Sequence, residues 1–236
     1  YANNEIGTIE PIKEISEIVH GKGLYLHVDA TAAAGRIPID VQTDGIDLLT
    51  LSSNDMYGPR GAGALYIKQG IKLQSILPGG GQERGLRSGT ENVFAIAGMG
   101  EGARIAKAEM DEESTRLKVI RDNLIVEILK IDESYLTGHP TQRLPHHASF
   151  RFSRIEGESI LLNMDTLYNI QVSTGSACSS KTLEPSHVLM AIGLKHEEAH
   201  GSMVITLGRS NTVEEIPIIA KAVNETVQRL RRLSPL

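Results

Sequence analysis

Apolar positions recur along this chain with two different periods. From Pro11 to His20 the residues Ile12, Ile15, Ile18 and Val19 fall on one helical face, with Pro11 suited to the first turn. Gly21 and Gly23 end that helix. Leu24 to Val28 reads as a short buried strand. Ile46 to Leu51 and Ala62 to Ile67 read as two more, from their length and their β-branched and aliphatic content. Helix, strand, connection and strand in that order predict an α/β fold. Ser88-Gly89-Thr90-Glu91 fits a capping box, so a helix is predicted to start there and run toward Met110. A second helix, Asp111 to Ile131, puts Leu117, Ile120, Leu124 and Ile128 on one face, away from Arg116, Lys118, Arg121 and Asp122.

Gly138 to His147 has two prolines, polar residues and no periodicity, which marks it as a domain boundary. Beyond it the pattern predicts a strand at Ser149 to Ser153, a helix at Gly157 to Met164 and a strand near Ile170 to Val172. A helix around Ser186 to Ile192, a strand at Met203 to Leu207 and a closing helix at Val213 to Leu230 complete a small α+β domain. The expected organisation is a first domain over residues 1–110, a connecting helix over 111–137 and a small C-terminal domain over 138–236.

Composition narrows the function classes. The 236 residues suffice for one large domain or two small ones. A net charge of −5 gives no basic footprint, which argues against a nucleic-acid partner. No apolar run approaches membrane-spanning length, so no membrane is expected as a partner. The single cysteine excludes an internal disulfide and points to a reducing cytoplasm. The first residues, Tyr1-Ala2-Asn3-Asn4-Glu5, lack an initiator Met and are dense in polar groups, so the chain is expected to begin inside a longer protein.

Candidate chemistry gathers at five places. Ser52-Ser53-Asn54-Asp55 and the turn Gly58-Pro59 separate two apolar strands. Four polar groups at the end of a buried strand suit the rim of a site, because open α/β sheets bind ligands beyond the carboxyl ends of their strands. Asp29 ends an earlier strand, either as a ligand contact or as an N-cap for the next element. Gly79 to Thr90 combines five glycines with Arg84 and Arg87, which fits either an anion-binding loop or a surface hairpin. Cys178 lies among hydroxyls and glycine in Ser173 to Ser180. That setting describes a polar loop, where a thiol serves as nucleophile or metal ligand, rather than a small core hydrophobe. His196-Glu197-Glu198-Ala199-His200 matches H-E-x-x-H, but Gly193 and Gly201 leave no room for a long helix and no histidine follows His200. It reads as a chance match on a short solvated helix.

Together these motifs resemble the cysteine desulfurases, a family of pyridoxal-phosphate enzymes of the class-V aminotransferase group. The matching residues are Asn3 to Gly7, His27 to Thr31, Tyr57 to Gly61, Gly79 to Thr90, Ser173 to Cys178, Leu183 to Ser186 and Leu207 to Arg209, in the family's order. The resemblance covers the whole chain but not the whole family protein, whose front segment has no counterpart in this sequence. It implies an aminotransferase-like α/β fold of pyridoxal-phosphate fold type I, with a partial large domain followed by a small α+β domain. The cofactor-binding set it implies is Asn4, Asp29, Ser52, Asn54 and Thr90. Asp29 would pair with the pyridine nitrogen and Asn4 would approach the ring hydroxyl. Ser52 would contact the phosphate, joined by Thr90 from the other subunit of a homodimer. Arg209 would clamp the substrate carboxylate. Cys178 would take sulfur from L-cysteine as a persulfide and carry it to a scaffold for iron–sulfur assembly.

The departures from the family pattern change that picture. Where the family has Ser-Gly-His-Lys, this chain has Ser52-Ser53-Asn54-Asp55, so the resemblance places Asp55 at the Schiff-base lysine and Asn54 at the histidine before it. Ala32 stands where a glutamine near the ring hydroxyl is usual. Without the lysine, pyridoxal phosphate is expected to be held noncovalently or not at all. Two functions remain open. One is desulfurase-like sulfur transfer through Cys178. The other is a non-catalytic partner in which Cys178 accepts sulfur from elsewhere or ligates an iron–sulfur cluster.

Overall fold

The computed structural model describes residues 1–175 and 185–233. These form two compact units, one of Tyr1 with Glu10–Asp111 and one of Ala2–Ile9 with Glu112–Leu236.

The first unit opens with α1, Ile12–Gly21. Its three strands are β1 (His27–Asp29), β2 (Leu48–Ser52) and β3 (Gly63–Ile67). They hydrogen-bond in the order β1-β2-β3. β1 runs parallel to β2 and pairs Asp29 with Thr50, while β3 returns antiparallel and pairs Gly63 with Ser52. Ile12, Val28, Ala30, Ile46 and Leu49 bury one core between helix and sheet, as the 3.6- and 2-residue periods require. Asp47 interrupts the apolar run yet is 3 % exposed. It accepts from the Leu26 amide at 2.9 Å, His20 Nε2 lies at 2.7 Å, and Lys68 Nζ donates at 3.0 Å. Burial pushes its carboxyl upward, but those three partners outweigh it and hold the pKa at about 2. One carboxylate thereby ties α1 to the start of β1 and the end of β3.

The first predicted strand is shorter than expected. Gly23 and Leu24 amides donate back to carbonyls of α1, and Leu24 and Tyr25 stay exposed, so pairing begins only at His27. The helix predicted from Ser88 starts at Val93. Its cap is Asn92, whose Oδ1 accepts from the Ala95 amide at 3.3 Å, in place of the Ser88–Glu91 box. The two helices expected to meet at residue 110 form one continuous helix, α2, Val93–Ile128. No glycine or proline lies near the expected break, and backbone hydrogen bonding continues through it.

The second unit carries a larger core. β4 (Ser134–Leu136), β5 (His147–Phe152) and β6 (Ser202–Thr206) form an antiparallel sheet in that order. Leu117, Ile120, Leu124 and Ile128 of α2 pack with Phe150, Phe152, α3 (Gly157–Tyr168) and α6 (Ile216–Leu233). The residues expected to connect domains are therefore built into this core. The stretch Gly138 to His147 is likewise not a linker: Arg143, Leu144, Pro145 and His147 are buried. The segment near Ile170 to Val172 forms no strand and makes only the single bridge Ser173 to Val204. Two short helices complete the unit, α4 (His187–Ala191) and α5 (His196–His200).

Candidate functional site

In the first unit the site candidates lie at the carboxyl ends of two adjacent parallel strands. Asp29 ends β1, and two residues beyond its partner Thr50 comes Ser52, the end of β2. The Ala30 amide donates to the Thr50 carbonyl at 3.0 Å, which fixes the two ends side by side. Asp29 is exposed, and its Oδ1 accepts from the Thr31 amide at 2.9 Å. Partial burial pushes its pKa up, but the hydrogen bonds from Thr31 and the nearby His27 hold it below the usual carboxylate range. Asp29 thus stays ionised and faces outward, able to pair with a protonated ring nitrogen.

After Ser52 the chain makes a 3-10 turn, Asn54–Met56, closed by the Gly58 amide donating to the Ser53 carbonyl at 2.9 Å. The expectation of four rim groups is corrected at Ser53, which is fully buried beneath Gly58. Ser52 and Asp55 are half-buried and Asn54 is exposed, its Oδ1 3.4 Å from Arg60 Nε. The turn sits tightly on α2. A Cβ on Gly98 would lie 2.5 Å from Pro59 Cγ, and one on Gly102 would lie 3.2 Å from the Gly58 α-carbon. Two helix glycines one turn apart thus let the turn approach the helix backbone. The Arg36 guanidinium lies 4.6 Å from the ring centroid of Tyr57, which takes a left-handed conformation, φ 60°. Thr90 is exposed in the glycine-rich loop, where a short 3-10 turn over Glu83–Gly85 leaves Arg84 exposed.

In the second unit Asn4 lies in the loop Asn3–Gly7, which protein groups hold from several sides. Asn3 Oδ1 accepts from the Glu5 and Ile6 amides at 2.8 and 3.0 Å. Arg143 Nη2 donates to the Ile6 carbonyl at 2.8 Å and to the Thr137 carbonyl at 2.9 Å. The Leu144 amide donates to the Gly7 carbonyl at 2.8 Å. His147 Nε2 lies 2.9 Å from the Asn4 carbonyl. A ring nitrogen facing a carbonyl must carry the proton, so His147 is the Nε2–H tautomer. Burial drives its pKa down to about 4, and the Arg143 charge adds to the shift against the hydrogen bond to Asn4. Gly7 is required: its φ is +72° and a Cβ would lie 2.6 Å from His147 Nδ1. The loop is fixed while Asn4 itself stays exposed.

Arg209 is exposed just after β6, in a turn where the Gly208 amide donates to Asn211 Oδ1 at 2.7 Å. Arg116 of α2 donates to the Asn211 and Gly208 carbonyls and so holds that turn. Cys178 lies outside the described residues. The H-E-x-x-H match sits on the five residues of α5, with the two imidazole centroids 4.6 Å apart. Among the described residues no three histidine, cysteine or carboxylate side chains are grouped to hold a metal. No described helix is long and apolar enough to cross a membrane. Arg143, His147 and Arg116 were not singled out from the sequence as supports of these sites. The signal for the first two was an arginine and a histidine in a stretch that looked like a linker.

The chain belongs to the class-V aminotransferase family, whose model matches residues 1–219. Cysteine desulfurase IscS 1 of Archaeoglobus fulgidus is 60 % identical over the entire chain, which spans 61 % of that relative's length. Cysteine desulfurase IscS of Methanosarcina thermophila is 51 % identical over the entire chain, which spans 58 % of it. The fold superposes on the X-ray structure of a NifS-like protein from Rickettsia africae with a TM-score of 0.89 at 32 % identity, covering 96 % of this chain and 60 % of that one. The architecture is therefore that of the pyridoxal-phosphate enzymes of fold type I, present in part. The family implies pyridoxal phosphate, and the exposed, ionised Asp29 beside Ser52 fits its pyridinium and phosphate. Position 55 does not fit its covalent form, because the half-buried group after β2 is a carboxylate and cannot form an imine.

Proposed function

We propose that this protein is a cysteine desulfurase-like sulfur carrier, in which Cys178 takes sulfur from L-cysteine as a persulfide and delivers it to a scaffold for iron–sulfur cluster assembly. The observation that carries this reading is the 60 % identity with a cysteine desulfurase over the whole chain. In this reading the first unit is part of the cofactor-binding domain and the second is the small domain that bears the cysteine segment. Asn4, Asp29, Ser52 and Asn54 contact pyridoxal phosphate noncovalently, and Thr90 does so from the second subunit of a homodimer. Arg209 binds the carboxylate of L-cysteine through its planar fork. The thiolate of Cys178 attacks the sulfur of L-cysteine; the S–S bond forms as the substrate's Cβ–S bond breaks, the electron pair stays on Cβ and takes up a proton, and the carbon skeleton leaves as alanine. The single cysteine and the sequence pattern favour a cytoplasmic setting.

A second reading rests on Asp55. A carboxylate can neither form a Schiff base nor act as the amine that moves a substrate proton. On that reading the Cys178 thiolate takes the outer sulfur of a persulfide made elsewhere, releasing the donor as its thiol, or ligates a nascent cluster on the scaffold. Cysteine-dependent sulfide release by the whole protein, with pyridoxal phosphate added, separates the two. Release that disappears in Cys178→Ser supports the first. No release, together with scaffold cluster assembly that still requires Cys178, supports the second. Cluster assembly unaffected by Cys178→Ser, with no sulfide release, contradicts both.

A further inference from the structure

Arg209 leaves the backbone from a four-residue turn that is closed twice. The Asn211 amide donates to the Gly208 carbonyl at 3.1 Å, and the Gly208 amide donates to Asn211 Oδ1 at 2.7 Å, so Arg209 and Ser210 are its central residues. Asn211 is itself held. Its Nδ2 donates to Glu215 Oε2 at 2.9 Å, and the same oxygen accepts from the Thr212 amide at 3.1 Å. Leu207 before the turn and Ile216 after it are buried, which anchors the chain on both sides. Arg116 of α2 then spans the turn. Its Nη1 donates to the Asn211 carbonyl, and its Nη2 donates to the Gly208 carbonyl at 3.3 Å.

Arg116 is fixed as well. Glu113, one helical turn earlier, accepts from its Nε and Nη2 at 2.8 and 2.9 Å. That pair balances the charge of Arg116, which therefore serves the turn as a hydrogen-bond donor. The next residue, Leu117, is buried in the core of the second unit, so the helix cannot shift here without unpacking that core. We propose that Arg116 is a positioning residue for Arg209. By holding the carbonyls at both ends of the turn, it sets the direction from which the Arg209 fork meets the carboxylate of L-cysteine. A fork grips a carboxylate through two parallel bonds, so a turned stem costs affinity even when the charge remains. The role rests on the reading of Arg209 as the clamp for that carboxylate, and the test below tells a failure of either apart.

The test compares two stable fluorescent probes on the whole protein. Phosphopyridoxyl-L-alanine carries the amino-acid carboxylate, and phosphopyridoxyl-ethylamine differs only in lacking it. The ratio of their affinities, from fluorescence titration, reads recognition of the carboxylate, because a general loss of structure weakens both alike. Wild type is expected to prefer the carboxylate probe by about 10-fold or more, the equivalent of one charge-assisted hydrogen bond. Arg209→Lys keeps the charge without the fork and is expected to lose most of that preference. Arg116→Ala is expected to cut it about 3- to 10-fold, the equivalent of one net hydrogen bond. Arg116→Lys keeps the cation, but one ammonium does not span two carbonyls as a fork does, so a loss of about 3-fold is expected. It carries the test if Arg116→Ala does not fold. Ile160→Val loosens the same core away from the turn and is expected to leave the preference within about 1.5-fold of wild type. A wild-type preference in folded Arg116→Ala, or in Arg116→Lys where Arg116→Ala does not fold, overturns the proposal. So does a loss in Ile160→Val equal to that in Arg116→Ala. A wild type that does not prefer the carboxylate probe contradicts the reading of Arg209 as the clamp, and overturns the role of Arg116 with it.

Discussion

The two units surround their candidate site residues in opposite ways. In the first, Asp29, Asn54 and Thr90 stand exposed at strand ends and on a glycine-rich loop. Their few bonds are to near neighbours, such as Asp29 to Thr31 and Asn54 to Arg60. In the second, the loop around Asn4 is backed by Arg143, His147 and Ser149, all buried and bonded to backbone carbonyls far away in sequence. Buried polar groups must find partners, whereas exposed ones are satisfied by water until a ligand displaces it. The first unit thus presents groups that a ligand can take over cheaply. The second invests its polar groups in holding one loop at a fixed place. A site residue such as Asn4 gains its position from groups that never meet the ligand.

That contrast predicts very different responses to substitution. Arg143→Ala leaves the Ile6 and Thr137 carbonyls to share the single hydroxyl proton of Ser149 and opens a void, so it is expected to destabilise the protein by about 3 kcal/mol in urea unfolding. A loss under about 0.5 kcal/mol would mean that the loop does not depend on it.

The second effect is one of pH. His147 in the unfolded chain takes up a proton near its ordinary value of 6.5, but in the folded protein not until about 4. Between those values the unfolded state binds more protons, so stability falls as pH falls. From about pH 7 to about pH 5 the expected loss from this group is about 2 kcal/mol. His147→Gln, which keeps a donor and cannot titrate, is expected to flatten that slope in urea unfolding at the two pH values. An identical slope in the variant would remove His147 from the account.

The smallest effect belongs to the first unit. Asn54→Ala removes an exposed side chain with one long hydrogen bond, and its expected change is within about 0.5 kcal/mol. Its effect should instead appear in affinity for pyridoxal phosphate, measured by titration. A stability loss comparable to that of Arg143→Ala would erase the distinction between the units.

Much of this organisation was legible in the sequence for physical reasons. The period of Ile12, Ile15 and Val19 marked α1, although Ile18 of the same expected face is exposed and Ser16 is buried instead, and the apolar runs ending at Asp29 and Ser52 marked the strand ends where the first unit gathers its candidates. The long-range contacts escaped the pattern. Gly138 to His147 carries the prolines and polar residues of a linker, yet Arg143 and His147 are buried because they donate hydrogen bonds to carbonyls of the loop Asn3–Gly7. Periodicity reports which face is apolar, not which distant carbonyl a cation will meet. The helix through residue 110 was divided between Met110 and Asp111, although a solvated run of Glu, Asp and Lys continues a helix as readily as it ends one. Ser53 looked like a rim residue beside Ser52, but the 3-10 turn after it carries it under Gly58. Asp47 falls inside an apolar run that predicted only a strand, and it is the buried anchor of the first unit.

The central claim is that Cys178 carries sulfur from L-cysteine although position 55 offers no amine. The most direct measurement is a visible absorption spectrum of the whole protein with added pyridoxal phosphate, taken before and after L-cysteine, with mass analysis of Cys178 in the same samples. The account predicts a spectral change on adding cysteine and a mass gain of one sulfur atom at Cys178. No bound chromophore and an unmodified thiol would contradict it, and would mean that this protein receives or ligates sulfur that another protein has mobilised.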